Sequence, residues 1–465
     1  MPANPAHAFD LIVIGAGPAG LAAAHRSAQL GARTLLIDRA QAGGTSGNGG
    51  CIPKVLLRYG AAMVRCSGAN PAADAWADTI TRARGEVARQ RDAHLAQLAD
   101  AGVQWMRGMA SLRGRGVVRV QTSTGKTTLR ARQIVLAAGA HPMALSAPGA
   151  ELACTSDDVL GWDALPASLI VVGGSAIAVE LASTLAGFGV RVTLLARDAR
   201  VLPEFDHALS DAAAHALAAS GVELIAGADI ARIERDAVNG DGDGVAVYVN
   251  PVDNGISRVL RAQRVLSAVA RAPNTAGLGL EAAGVTLDAH ARIAVDRHFR
   301  TRARGVHAVG DICSGSPLQL APVAAAQGRY VAERLFGKGV KLPDMSMVPT
   351  AVFCDPAIAS VGLTEAEARA RWPETDKRAP ADRIDVVVRR FVPLEQRFAG
   401  AGRESLIKLV CNARSGRVLG AHIVDNAAPD IIQTLAVAVR MGVRLKHLRT
   451  TVGLHPSVAE ALLAV

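Results

Sequence analysis

The chain has 465 residues, half of them hydrophobic, with 46 glycines, 21 prolines and a formal charge of +10. This length exceeds what one hydrophobic core supports, and the composition is that of a globular α/β protein of several domains rather than a disordered or fibrous one. Scattered basic residues and 3% aromatics argue against a nucleic-acid surface, and the absence of a long apolar run argues against a membrane span. The six cysteines, Cys51, Cys66, Cys154, Cys313, Cys354 and Cys411, are too dispersed for structural zinc or a secreted disulfide framework. The opening MPANPAHAFD has no secretory pattern, so a cytoplasmic location is expected, with the positive charge favouring anionic cofactors and substrates.

The first element is an apolar strand, LIVIGAGPAG at 11–20, that runs into a glycine-rich turn. The pattern returns as LIVVGGSAIA at 169–178, and in both copies a helix-like segment and a second apolar strand follow. Each copy therefore reads as a βαβ unit whose turn and helix N-terminus cradle a pyrophosphate. In the first, Gly15, Gly17 and Gly20 supply the full fingerprint, and Asp38 at the end of the second strand is placed to accept a ribose hydroxyl. In the second, Gly173 remains while Ser175 and Ala178 replace the other glycines; the position equivalent to Asp38 is Ala196, followed by Arg197. An acid there repels a 2′-phosphate and a guanidinium pairs with it, so the second site is expected to prefer NADPH through Arg197 and Arg200.

Further along, VNGDGDGV at 238–245 reads as a glycine-rich hairpin turn rather than a calcium loop. A helix opening at Pro429 carries Ile432, Leu435 and Val439 on one face and stops at Gly442.

The segment GGTSGNGGCIPK at 43–54 resembles the pyridine nucleotide-disulfide oxidoreductases, and glutathione reductases in particular, where it matches at Cys51, Pro53 and Lys54. The likeness continues through AIAVE to Glu180, SAVARAPNT at 267–275, GVHAVGD ending at Asp311, LAPVAAAQGR at 320–329, VPTAVFCDPAIASVGLTE at 348–365 and the closing TVGLHPSVAEALL. The resemblance implies two Rossmann-like dinucleotide-binding domains plus a C-terminal α+β dimerisation domain. It implies an FAD-binding part at 1–147, an inserted NADPH-binding domain at 148–272, a second FAD part at 273–344 and an interface domain at 345–465. It places Gly44, Thr45, Gly139, Asp311 and Ala321 with Gly15, Gly17, Gly20 and Asp38 at FAD. Gly173, Ser175, Arg197, Arg200 and Arg271 go to NADPH. It also pairs Lys54 with Glu180, and makes His455 and Glu460 an acid/base couple that a homodimer delivers to the partner's flavin.

Pro53 suits the first turn of a helix through KVLLRYGAAMV, so Cys51 is expected at that helix's positive end, where a thiolate is favoured. The family's other redox cysteine is Ser46 here, and a hydroxyl can neither form a disulfide nor leave as a thiolate. An engineered position, a one-cysteine chemistry at Cys51, and direct passage of electrons from flavin to a quinone, metal ion or oxygen all stand open. The leading expectation is an NADPH-dependent flavoprotein oxidoreductase with an impaired disulfide relay, acting on a small acceptor. Its rivals are a single-cysteine oxidase, peroxidase or quinone reductase, a mercuric-reductase-like enzyme disfavoured by the ALLAV terminus, and a non-catalytic flavin-binding redox sensor.

Overall fold

The computed structural model describes residues 8–67, 73–236, 244–251, 257–316, 318–342, 344–373, 383–400 and 402–464. Its helices include α1 (Pro18–Gln29), α2 (Gly44–Asn48), α3 (Cys51–Ser67), α4 (Ala73–Asp100), α5 (Ala176–Gly187), α6 (His207–Ala219), α7 (Ala321–Phe336), α8 (Glu365–Arg371), α9 (Leu394–Phe398) and α10 (Ala428–Arg440).

The first sheet grows from the strand Phe9–Ile14, where Leu11, Ile12 and Val13 are fully buried, as an apolar run covered on both faces requires. Thr34–Asp38 and Gly125–Leu136 flank it, both parallel to it, and Val306–Ala308 returns from far along the chain to pair with Gly125–Leu136. Helices α1 and α7 pack face to face, because a Cβ on Gly328 would stand 2.1 Å from Ala19 O. Glycine is the residue that permits that approach.

The second sheet is parallel, in the order Glu223–Ala226, Arg191–Ala196, Ser168–Val172, Arg264–Ser267, Ala153–Thr155. The sequence repeat is thus a structural one: strand, helix and adjacent parallel strand recur as 9–38 and 168–196. Ala140–Pro142 and Arg271–Pro273 pair antiparallel, so the chain leaves and re-enters the first unit along neighbouring strands. Residues 238–243 of the glycine-rich turn lie outside the described residues, and the strands on either side of it pair antiparallel.

A third sheet is antiparallel, in the order Thr350–Val352, Ile358–Gly362, Val418–Val424, Ser405–Asn412, Ile384–Phe391. Helix α10 buries Ile432, Leu435 and Val439 against it, the stripe read from the sequence. One apolar core belongs to the first sheet. A second runs from Leu57 and Ala61 of α3 through Val179 and Leu185 of α5 to Val352, Ile358 and Val424 of the third sheet, so the last unit is fused to the middle of the molecule. Buried charges add to that junction. Asp206 caps α6 through Ala208 N at 3.0 Å and pairs at 2.8 Å with Lys408 Nζ, which also meets Glu365 Oε2 at 2.7 Å. Burial pushes the Asp206 carboxyl up, but Lys408 and the Glu365 amide outweigh it and hold the group below its ordinary range.

His307 on the returning strand is buried, with Nε2 3.3 Å from Gln133 Oε1 and Nδ1 without a partner among the described residues. Burial, then Arg300, push its pKa from 6.5 down to about 4. The unfolded chain therefore takes up this proton first, and stability is lost as pH falls from about 6.5 towards 4. This one group accounts for about 3 kcal/mol over that window. Urea midpoints at pH 7 and 4.5 are expected to differ less in His307→Gln than in the parent; an equal difference would remove His307 as the source. Among the described residues no helix is long and apolar enough to cross a membrane.

Candidate active site

The first glycine turn divides its labour. A Cβ on Gly15, at φ +107°, would lie 2.3 Å from Ala137 O, and one on Gly20 would lie 1.8 Å from Gly15 O, so these two make the turn and seat the helix on the strand. Around Gly17 there is room: the nearest atom to its Cβ position is Gly44 Cα at 3.8 Å. Conversely, a Cβ on Gly44 would press to 2.5 Å from Gly17 Cα, and Gly43 N donates to Ala16 O at 2.9 Å. Two glycine loops therefore meet edge to edge at the start of α1. Asp38 stands at their rim, accepting from Ala16 N at 2.6 Å and Ala40 N at 2.8 Å. A carboxylate has about four acceptor sites, which leaves capacity for a hydroxyl.

Asp311 lies in the turn Gly310–Ile312, and its carboxylate accepts no hydrogen bond from a described residue. Burial pushes its pKa up, against the pull of Arg271 and Arg292. Gly310 N donates to Gln327 Oε1 of α7 at 2.7 Å, which sets this acid near the first turn of α7, where Ala321 opens the helix. Gly139, at φ +66°, accepts from Asn274 N at 2.9 Å at the crossing between units. Arg271 directs its donors at the first unit, to Ala140 O at 2.6 Å and Thr45 Oγ1 at 3.2 Å, rather than at the second glycine turn.

The segment after Gly43 winds into the short α2, which the sequence did not suggest. Ser46 lies within it, half-buried, and the exposed Cys51 opens α3. Gly47 has no atom within 4 Å of its Cβ position and Gly49 only Asp157 Oδ1 at 3.9 Å, so this loop is open on its outer side. Lys54 Nζ pairs with Glu180 Oε2 of α5, and Glu180 Oε1 accepts from Phe353 N at 2.9 Å. Burial pushes the Cys154 and Cys313 thiols to about 11 and those of Cys354 and Cys411 to about 12, which leaves them protonated and inert at neutral pH.

In the second turn a Cβ on Gly173, at φ +132°, would meet Ala268 O at 2.5 Å. Ser175 compensates for its missing glycine: it caps α5, accepting from Ala178 N at 3.4 Å and donating to Ala268 O at 2.9 Å. Past the strand end at Ala196, Arg197 is exposed, whereas Arg200 Nε donates to Asp211 Oδ1 at 3.2 Å. Near the C-terminus His455 Nδ1 lies 2.9 Å from Glu460 Oε2, with the histidine side chain 81% exposed. The structure thus joins Lys54 to Glu180, His455 to Glu460 and Thr45 to Arg271.

Two nucleotide cradles, a cysteine opening a helix beside them and a largely buried lysine–glutamate pair define a double-dinucleotide redox enzyme. The chain belongs to the pyridine nucleotide-disulphide oxidoreductases: the family model matches residues 9–328, and the model of its dimerisation domain matches 348–464. It is 35% identical to a glutathione reductase of Burkholderia cepacia over 97% of both chains. It is 33% identical to a glutathione reductase of Nostoc sp. over 97% of this chain and 98% of that one, and 32% identical to a dihydrolipoyl dehydrogenase of Mycobacterium tuberculosis over 98% and 96%. The protein is accordingly an FAD-dependent enzyme that uses a pyridine nucleotide, and the dimerisation domain supports a homodimer. The open side of Gly17, the spare acceptors of Asp38 and the half-buried acid at Asp311 fit a dinucleotide with a polyol arm.

Proposed function

We propose that this enzyme is an NADPH-dependent flavoprotein reductase of a small-molecule acceptor, a disulfide or a quinone, working without a dithiol relay. The observation that carries the reading is the serine at position 46 of a loop that otherwise keeps Cys51, Pro53 and the Lys54–Glu180 pair. FAD, when bound, supplies the two-electron carrier between the pyridine nucleotide and the acceptor. Gly15, Gly17, Gly20, Asp38, Gly44, Thr45, Gly139, Asp311 and Ala321 would hold it, on a unit built from 1–147 and 273–344. Gly173, Ser175, Arg197 and Arg200 would serve NADPH on the unit 148–272, whereas Arg271, expected there from the sequence, spends its donors on Thr45 and Ala140 of the first unit. Cys51 would act as a single thiol, with Lys54 held in place by Glu180. In the homodimer formed through 345–465, the exposed His455 would donate a proton to the partner's acceptor, its ring fixed by Glu460.

An anaerobic NADPH titration of the holoenzyme, followed by flavin absorbance, tests this reading. Uptake of about two electrons per flavin is expected, and uptake of about four would mean that another cysteine completes a relay. For the nucleotide, Arg197→Ala is expected to raise the NADPH KM about tenfold while leaving NADH unchanged, the value of one charge-assisted phosphate contact. Equal effects on both nucleotides would remove Arg197 from 2′-phosphate selection. Arg200 starts with a partner in Asp211, but an exposed pair is worth under about 1 kcal/mol and gives way to a phosphate.

A further inference from the structure

Helix α3 carries more than Cys51 and Lys54. Two further cations on it, Arg58 and Arg65, reach the same short turn of the last unit. Arg58 Nε donates to Cys354 O at 2.8 Å and its Nη2 to Asn426 Oδ1 at 2.8 Å. Arg65 Nη2 meets Asp355 Oδ2 at 2.8 Å, an oxygen that Arg403 Nη1 also reaches at 2.7 Å. With Phe353 N on Glu180 and Asp355 N on Ser183 Oγ of α5 at 3.2 Å, the turn 353–355 is tied at each residue to α3, to α5 or to both. The packing makes room for this. Gly187 ends α5, and a Cβ there would stand 2.3 Å from Arg65 Nη1. Asp355, Glu180 and Ser183 are all buried, so these bonds are shielded from water.

We infer that Arg58 and Arg65 are positioning residues for the redox centre: they fasten the helix that begins at Cys51 to the turn 353–355 of the dimerisation unit, so the placement of the thiol depends on how that unit is docked. Lys54 alone fixes only the first turn of α3. Its partner Glu180 takes its second hydrogen bond from Phe353, so the Lys54 anchor itself leans on the turn that Arg58 and Arg65 hold. Assembly of the last unit and the reactivity of Cys51 are linked by this route.

The test uses FAD-loaded Arg58→Met and Arg65→Met beside the conservative Arg65→Lys. The primary readout is the rate of Cys51 alkylation by iodoacetamide against pH, with the site verified by peptide mass. It is independent of which acceptor the enzyme reduces, so failure here is distinguishable from failure of the proposed function. Each Met variant is expected to change the alkylation rate at pH 7 at least threefold and to move the pH profile. Amide exchange across residues 51–57 is expected to speed up, and Arg65→Lys to restore both. Variants that lower the melting temperature yet keep the parental profile would show an ordinary structural role and overturn the inference. Should a Met variant fail to fold, Gly187→Ala, which crowds the Arg65 guanidinium while keeping every charge, is expected to reproduce the change in profile. An unaltered profile there overturns the inference equally.

Discussion

Lys54→Met is expected to lower the free energy of unfolding by about 3 kcal/mol and to remove most of the NADPH-dependent turnover. The side chains of Lys54 and Glu180 are only 16% and 8% exposed, so deleting the cation strands a carboxylate whose remaining donor among the described residues is Phe353 N. Losing one member of a buried pair is costly because the other cannot regain water; losing both is far cheaper. The double variant Lys54→Met/Glu180→Leu should therefore recover most of the stability and none of the turnover. Urea denaturation and steady-state rates on the two variants separate these quantities. A double variant as unstable as the single would show that the pair contributes by packing rather than by charge. One that regained turnover would show that the ammonium has no part in the reaction.

How much of this was legible in the chain depends on the distance over which each feature acts. The two βαβ units could be read because strand, turn and helix are contiguous, and the steric demand at Gly15 and Gly20 is local. The stripe Ile432, Leu435 and Val439 was equally local. The Lys54–Glu180 pair spans 126 positions and came only from resemblance. Arg58 with Cys354, and Asp206 with Lys408, are 296 and 202 positions apart, and nothing in either neighbourhood marks an arginine or lysine as paired rather than solvated. Ser175 is a subtler case. Its replacement of glycine looked like decay of a fingerprint, yet the hydroxyl caps α5 and binds Ala268 O, tasks that a glycine cannot perform. Likewise Arg200 was read as free for a phosphate, and Asp211, on the next helix, already engages it.

Ser46→Cys should convert the protein into a dithiol enzyme. Short-range bonds hold the loop between the two positions: Gly49 N donates to Thr45 O at 3.0 Å, Lys54 N to Gly50 O at 3.0 Å, and a Cβ on Gly50 would lie 2.9 Å from Thr45 O. The chain therefore doubles back between position 46 and the first turn of α3. A cysteine is close to isosteric with serine, and a disulfide needs Cα atoms about 4.4–6.8 Å apart, so the variant also tests whether the loop brings positions 46 and 51 within that reach. Two titratable thiols should disappear on mild oxidation of the variant and none in the parent. The anaerobic titration should rise from about two to about four electrons per flavin, and reduction of a small disulfide by NADPH should increase on the order of tenfold or more. Adding Cys51→Ala to the variant must cancel all three gains, because each depends on the pair. If the introduced thiol stays free under oxidising conditions, α2 does not present position 46 to Cys51, and the difference from glutathione reductases lies in the shape of the loop rather than in a single atom.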